Sequence, residues 1–253
     1  MPLLSELTRV VDGLRRRGRD AARKWTGRRR ARPPFKRNPV FEALEQRMLM
    51  SADVSGSIDI PGETDRYVFT LDRDKTLVFD SRSDSTIFWS LNGPRGAEVT
   101  SRQLRFSDAH NANPVLNLIA GDYELTVDAS GDQTGDYRFV LLDASDATAI
   151  TPGAPLAVTL SPGNGTAAFG FTAQAGERFY FDMQSAASSD GVWRLIDPHG
   201  VQVFSQSFGT DVDVTALPFD GDYILLLEGG IARTAPTALQ FNVQPVVDDT
   251  APL

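Results

Sequence analysis

Along most of this chain, apolar and polar residues alternate over short stretches. In residues 66–71 Tyr67, Phe69 and Leu71 share one side, with Arg66, Val68 and Thr70 on the other. Residues 123–127 (YELTV) and 137–141 (YRFVL) keep the same period of two. That is the period of a β-strand with one buried face. Turn-forming pairs separate the stretches: Asn92-Gly93, Gly121-Asp122, Gly131-Asp132 and Asp190-Gly191. Strands at this spacing, about eight per ninety residues, predict an antiparallel sandwich of two sheets.

The pattern occurs twice. Pro61-Gly62 returns as Pro162-Gly163, and Phe69-Thr70 as Phe171-Thr172. Residues 77–80 (LVFD) return as 179–182 (FYFD), and Trp89-Ser90-Leu91 as Trp193-Arg194-Leu195. Ala120-Gly121-Asp122-Tyr123 returns as Asp220-Gly221-Asp222-Tyr223. A constant offset of this kind marks a tandem duplication. The predicted fold class is all-β, with two tandem antiparallel β-sandwiches, jelly-roll-like, over 54–145 and 156–246. A short, stiff linker is expected at 146–155, and a tail or joint into a further domain at 247–253. Trp89 and Trp193, at matching positions, are expected to anchor the cores, because an indole buries a large area.

Before residue 54 the pattern changes. Leu3, Leu4, Leu7, Val10, Val11 and Leu14 recur at helical spacing, which predicts a short amphipathic helix in an otherwise disordered arm over 1–39. Arg32-Pro33-Pro34 ends it. Residues 1–50 hold 14 Lys and Arg against five acids, a net of +9, whereas the remainder carries −17 of the total −8. The two ends of so asymmetric a chain serve different purposes. No apolar segment follows the charges as a secretory signal requires, and none approaches the roughly 18–20 residues of a spanning helix. There is therefore no recognisable secretory signal peptide and no expected transmembrane segment. A basic amphipathic arm can lie on anionic membrane or bind phosphates, but no recognised nucleic-acid fold accompanies it, so nucleic acid is not the expected partner. With no cysteine, disulfides and thiol chemistry are excluded.

The junction, residues 40–53, reads VFEALEQRMLMSAD. Its Leu44, Glu45, Arg47, Leu49, Ser51 and Ala52 resemble the LEPR-XLL motif, Leu-Glu-Pro-Arg-x-Leu-Leu-Ser-Ala, found near the N-terminus of very large bacterial exported proteins. Gln46 replaces the proline and Met50 the second leucine. The resemblance implies a sorting role for arm and motif, engaging an export machinery, and an extracellular or cell-surface location. Alternatively Phe41, Leu44, Met48 and Leu49 form one face of a short helix that packs on the first domain. The first repeat also resembles bacterial pre-peptidase C-terminal domains, through residues 62–69 (GETDRYVF), 120–127 (AGDYELTV) and 134–139 (TGDYRF). The second keeps residues 174–179 (QAGERF) and Gly221-Asp222-Tyr223 but loses the Glu-x-Asp-x-Tyr signature at 164–169 (NGTAAF). That resemblance implies β-sandwich accessory modules, binding or spacer domains rather than catalysts.

Candidate chemistry is sparse. The two histidines, His110 and His199, sit in turn-like sequence, and no nucleophile elbow, zinc-helix motif, phosphate loop or dinucleotide fingerprint occurs. No enzyme and no organic cofactor are expected. Calcium is the one inorganic candidate, since hard cations want clustered oxygens. Asp80, Ser81 and Asp84, Asp143 and Asp146, Asp211 and Asp213, and Asp220 and Asp222 supply such oxygens, and Asp80, Asp84, Asp182, Asp220 and Asp222 are the candidate ligands. The competing reading is that these aspartates serve turns. The expected function is a non-catalytic exported or cell-surface module, acting as a spacer, as an adhesion unit or as a weak binder of extracellular polysaccharide or protein. Two alternatives stand beside it. One is a carbohydrate-binding module of a secreted hydrolase system, which predicts an exposed platform from Trp89, Trp193, Tyr180 and Tyr223. The other is an intracellular protein whose arm binds nucleic acid or anionic membrane.

Overall fold

The computed structural model describes residues 8–11, 52–107 and 113–248. The junction residues Leu44, Glu45, Arg47, Leu49 and Ser51, and also His110, lie outside the described residues; Ala52 opens the first body strand and is buried. The described body is two antiparallel sandwiches, as the alternation predicts. In the first, β2 (Ala52–Ile58), β9 (Gly135–Asp143), β4 (Lys75–Ser81) and β7 (Val115–Leu118) form one sheet in that order. Facing it lie β3 (Thr64–Leu71), β8 (Gly121–Asp128), β5 (Phe88–Gly93) and β6 (Gly96–Gln103). The second domain repeats this topology strand for strand. Its β11 (Leu156–Leu160), β18 (Thr237–Pro245), β13 (Arg178–Ala186) and β16 (Val212–Ala216) form one sheet. Its β12 (Thr166–Ala173), β17 (Gly221–Gly229), β14 (Gly191–Ile196) and β15 (Gln202–Ser207) form the other.

An additional strand lies along the same edge of each domain. In the second domain β10 (Thr148–Ala149) pairs in parallel with β12. The backbone N–H of Ile150 then donates to Gly170 O at 2.8 Å, and that of Gly153 to Val243 O at 2.7 Å. Residues 146–155, expected as a short, stiff linker, are thus held along the second domain. In the first domain β1 (Thr8–Val11) runs antiparallel along β3, with Thr8 opposite Val68 and Val11 opposite Asp65. The hydrophobic spacing predicts helix there. An open sheet edge offers a row of backbone partners, and Thr8, Val10 and Val11 are β-branched, which favours the extended form. The rest of the arm lies outside the described residues.

Each sandwich has its own core. Trp89 is buried, stacks on Phe79 with ring centres 3.7 Å apart, and donates its Nε1–H to Ser107 Oγ at 2.6 Å. Trp193 is buried in the matching place and donates to Thr210 O at 3.1 Å. The glycine-aspartate-tyrosine turns are duplicated in detail. The Tyr123 hydroxyl donates to Ile119 O and the Tyr223 hydroxyl to Phe219 O, each four residues back. Thr70 and Thr172 donate to Asp122 and Asp222, both at 2.6 Å.

One core position differs between the domains. In the first, Asp65, Tyr67 and Tyr137 form a buried polar cluster: the Tyr137 hydroxyl donates to Asp65 Oδ2 and lies 2.5 Å from that of Tyr67. Gly56, paired with Tyr137, makes the room; a Cβ there would sit 2.3 Å from the Tyr137 oxygen. In the second domain the equivalent positions hold Ala167, Phe169, Leu239 and Val158. A small residue and a long polar one are exchanged for two aliphatic ones that fill the same space.

Candidate functional site

The two domains meet face to face. The outer face of the β2-β9-β4-β7 sheet presents Val78, Val115 and Leu142, and the outer face of the β12-β17-β14-β15 sheet presents Ala168, Ile196, Ile224 and Leu226. Val78, Ile196 and Leu226 are at most 1% exposed. The body is therefore four sheets deep. Homologous positions on the two outermost faces are polar, except that exposed Val214 stands where the first domain has Val115. Arg66, Asn92, Glu124 and Thr126 replace the apolar set of the second domain, and Tyr180 and Gln244 replace Val78 and Leu142 of the first. The duplication has thus diverged so that one pair of faces docks and the other pair meets solvent.

A charged cluster is buried in this joint. Asp80 Oδ2 pairs with Arg82 Nη2 at 2.7 Å and accepts the Thr166 backbone N–H of the other domain at 3.1 Å. Across from it Arg194 Nε donates to Glu228 Oε1 at 2.5 Å, and Arg194 Nη1 to Gln202 Oε1 at 2.7 Å. Asn164 Nδ2 reaches Arg82 O at 3.2 Å and Asn117 Nδ2 reaches Gly200 O at 3.1 Å, both between domains. Burial pushes Asp80 up to about 7 against the pull of Arg82. Burial likewise pushes Glu228 up to about 7 against Arg194, with Asp80 adding to the rise. Asp80 Oδ1 and Arg82 Nε and Nη1 are buried and make no hydrogen bond.

A cleft of about 540 Å³ opens at the rim of the joint. Its carboxyls are already engaged by the fold. Lys75 and Asp143 form a buried pair at 2.6 Å, and Asp143 also accepts from Ser145. Burial pushes Asp143 up, but the Lys75 and Ser145 hydrogen bonds together hold it below the ordinary carboxylate value. Asp74 accepts from Ala120 N, Asp197 from His199 N and Val201 N, and Asp222 from Thr172.

The five candidate calcium ligands are dispersed. Asp80 is in the joint; Asp84 is exposed and pairs with Arg105 at 3.2 Å. Asp182 accepts from Gln184, Asp220 from Ala175 N and Asp222 from Thr172. Among the described residues no three His, Cys, Asp or Glu side chains come together as metal ligands would. The His199 ring packs edge-on against Phe219 at 4.5 Å. Of the four aromatics a glycan platform would need, Trp89, Trp193 and Tyr223 are buried. Tyr180 alone is partly exposed, and its hydroxyl donates to Asp211 at 2.6 Å, a bond that pushes it up to about 12. No helix among the described residues is long and apolar enough to cross a membrane.

The alternation alone does not predict the joint, though the sequence carries a signal for it. Residues 223–227 (YILLL) break the alternation that residues 123–127 (YELTV) keep, and a continuous apolar run marks a strand buried on both faces.

No protein-family profile matches the chain, and no curated protein matches it. Among solved structures it is similar to PliG of Aeromonas hydrophila, a periplasmic inhibitor of g-type lysozyme, at 17% identity and a TM-score of 0.32, covering 39% of this chain and 96% of that one. It is also similar to the CUB1-EGF-CUB2 region of human MASP-1/3, at 7% identity and a TM-score of 0.25, covering 77% of this chain and 99% of that one. A third is the ANX1 ectodomain of Arabidopsis thaliana, at 8% identity and a TM-score of 0.23, covering 75% and 83%. Likenesses at these TM-scores carry no argument about function.

Proposed function

We propose that this chain is a non-catalytic module for the outside of a bacterial cell: a two-domain spacer or adhesion unit, with its basic arm and the motif at residues 44–52 acting in sorting. The observation that carries the reading is the joint. Two sandwiches docked through Val78, Leu142, Ile196 and Leu226 resist bending as a flexible tether would not, and that suits a part whose task is to hold something at a distance. The use of Trp89, Trp193 and Tyr223 in the cores favours this reading over a carbohydrate-binding platform. The engagement of the cleft's carboxyls in turns and ion pairs agrees with it. The arm's charge of +9 and the resemblance of residues 44–52 to an export motif support the location.

Protease shaving of intact cells carrying a C-terminally tagged chain tests the reading. Loss of the tag from whole cells, with cytoplasmic markers intact, is the expected result. A tag protected until lysis would overturn the location and direct attention to the arm as a ligand for membrane or nucleic acid.

A further inference from the structure

We propose that the joint between the domains is a pH-responsive clamp, tightest in mildly acidic solution and loosened as Asp80 and Glu228 ionise. The geometry places one carboxyl from each domain in the same buried interface. Asp80 comes from β4, with Arg82 just after it, Arg138 from β9 and Asp53 from β2 on its own side. Glu228 comes from β17, with Arg194 from β14 and the neutral Gln202 and Thr166 beside the cluster. The cluster is only partly satisfied. Asp80 Oδ1 and two nitrogens of Arg82 have no partner, and an unbonded buried oxygen costs far more when charged than when neutral.

Burial at the joint raises both carboxyls to about 7. Separated, the two faces would meet water and both groups would titrate near 4, the ordinary carboxylate range. Between about pH 4 and pH 7 docking therefore takes up protons. An acid raised in the docked state is linked to docking that weakens as pH rises, by up to tenfold per pH unit for each proton taken up. Mutual repulsion of the two acids makes one proton the minimum, so docking weakens at least about 50-fold from pH 5 to pH 7. Above about 7 both states are ionised and the dependence stops.

The absence of cysteine makes thiol labelling a clean probe. Leu226→Cys places a single thiol in the joint, and Leu225→Cys places one in the core of the second domain. Labelling rates in the full chain are divided by those of an unfolded peptide thiol at the same pH, so that they report the open population. The normalised rate at Leu226→Cys is expected to rise at least about 50-fold from pH 5 to pH 7, with Leu225→Cys unchanged. Asp80→Asn with Glu228→Gln should flatten the profile, and His199→Gln should leave it intact. A flat profile in the wild-type background overturns the proposal, as does a slope that survives the double substitution. Should the double variant unfold, which Leu225→Cys would report, each single substitution is expected to reduce the slope; unchanged slopes in both would overturn it equally.

Discussion

Replacing Asp65 by Ala removes the acceptor on which the Tyr137 hydroxyl closes. Burial, reinforced by the bonds to Asp65 and Tyr67, pushes that phenol above its ordinary value, so it remains a donor at all ordinary pH. A hydrogen bond to a carboxyl contributes roughly 1.5–3 kcal/mol, and the orphaned donor adds its own desolvation cost. The expected loss is about 3 kcal/mol, which for a domain of this size lowers its melting temperature by roughly 12–24 °C. The second domain shows how the loss is avoided, with Ala167, Phe169 and Leu239 in the equivalent places. Asp65→Ala combined with Tyr67→Phe and Tyr137→Phe removes these two hydroxyls together with the carboxyl, so the triple variant should be clearly less destabilised than the sum of its single substitutions. Urea unfolding of the full chain gives the energies, and hydrogen exchange read by mass spectrometry assigns them to the first domain. A triple variant as unstable as the sum of its single substitutions would refute the reasoning.

Further outcomes follow from other contacts. Gly93→Ala puts a Cβ 2.1 Å from the Tyr123 ring, so the corner tyrosine must shift and a loss of about 1–3 kcal/mol is expected in the same urea assay. Lys75→Met leaves Asp143 buried without its cation; a loss of about 3 kcal/mol is expected at pH 7. Because Asp143 is held below its ordinary value, this stabilisation is present above the carboxylate range and is lost as the pH falls through and below about 4. The Lys75→Met penalty should therefore shrink in acid, and a penalty that grew there would contradict the pairing. Calcium at millimolar level should leave the melting temperature unchanged, given the dispersal of Asp80, Asp84, Asp182, Asp220 and Asp222; a rise that a chelator reverses would place a site the side-chain geometry does not suggest.

The strands, their duplication and the core tryptophans were legible because a half-buried strand writes its orientation into a period of two. The edge strands were not. Pairing at β10 and β1 is made by backbone groups that every residue carries, so Thr148–Ala149 has no pattern of its own. The joint was legible only by contrast. Ile224 and Leu226 stand where the first repeat has Glu124 and Thr126, yet an outward apolar residue is common enough on any surface to pass unremarked. The buried ion cluster was hidden for a different reason. Asp80 and Glu228 are distant in sequence and on different domains, and charge in a sequence says nothing of which side chains will share a dry interface. The calcium expectation fails for the same reason: Asp220 and Asp222 lie two apart in sequence, but one accepts from the Ala175 backbone N–H and the other from Thr172 across the strand pair.

The two domains form one docked body. Spin labels on Thr100→Cys and Gln240→Cys, exposed positions in the two outermost sheets, test it most directly by pulsed dipolar spectroscopy at pH 6. Four stacked sheets, each about 10 Å from the next, predict a single narrow distance distribution that broadens when Leu226 is replaced by Glu. A broad distribution in the wild-type background would mean two independent sandwiches on a tether, and would contradict the account.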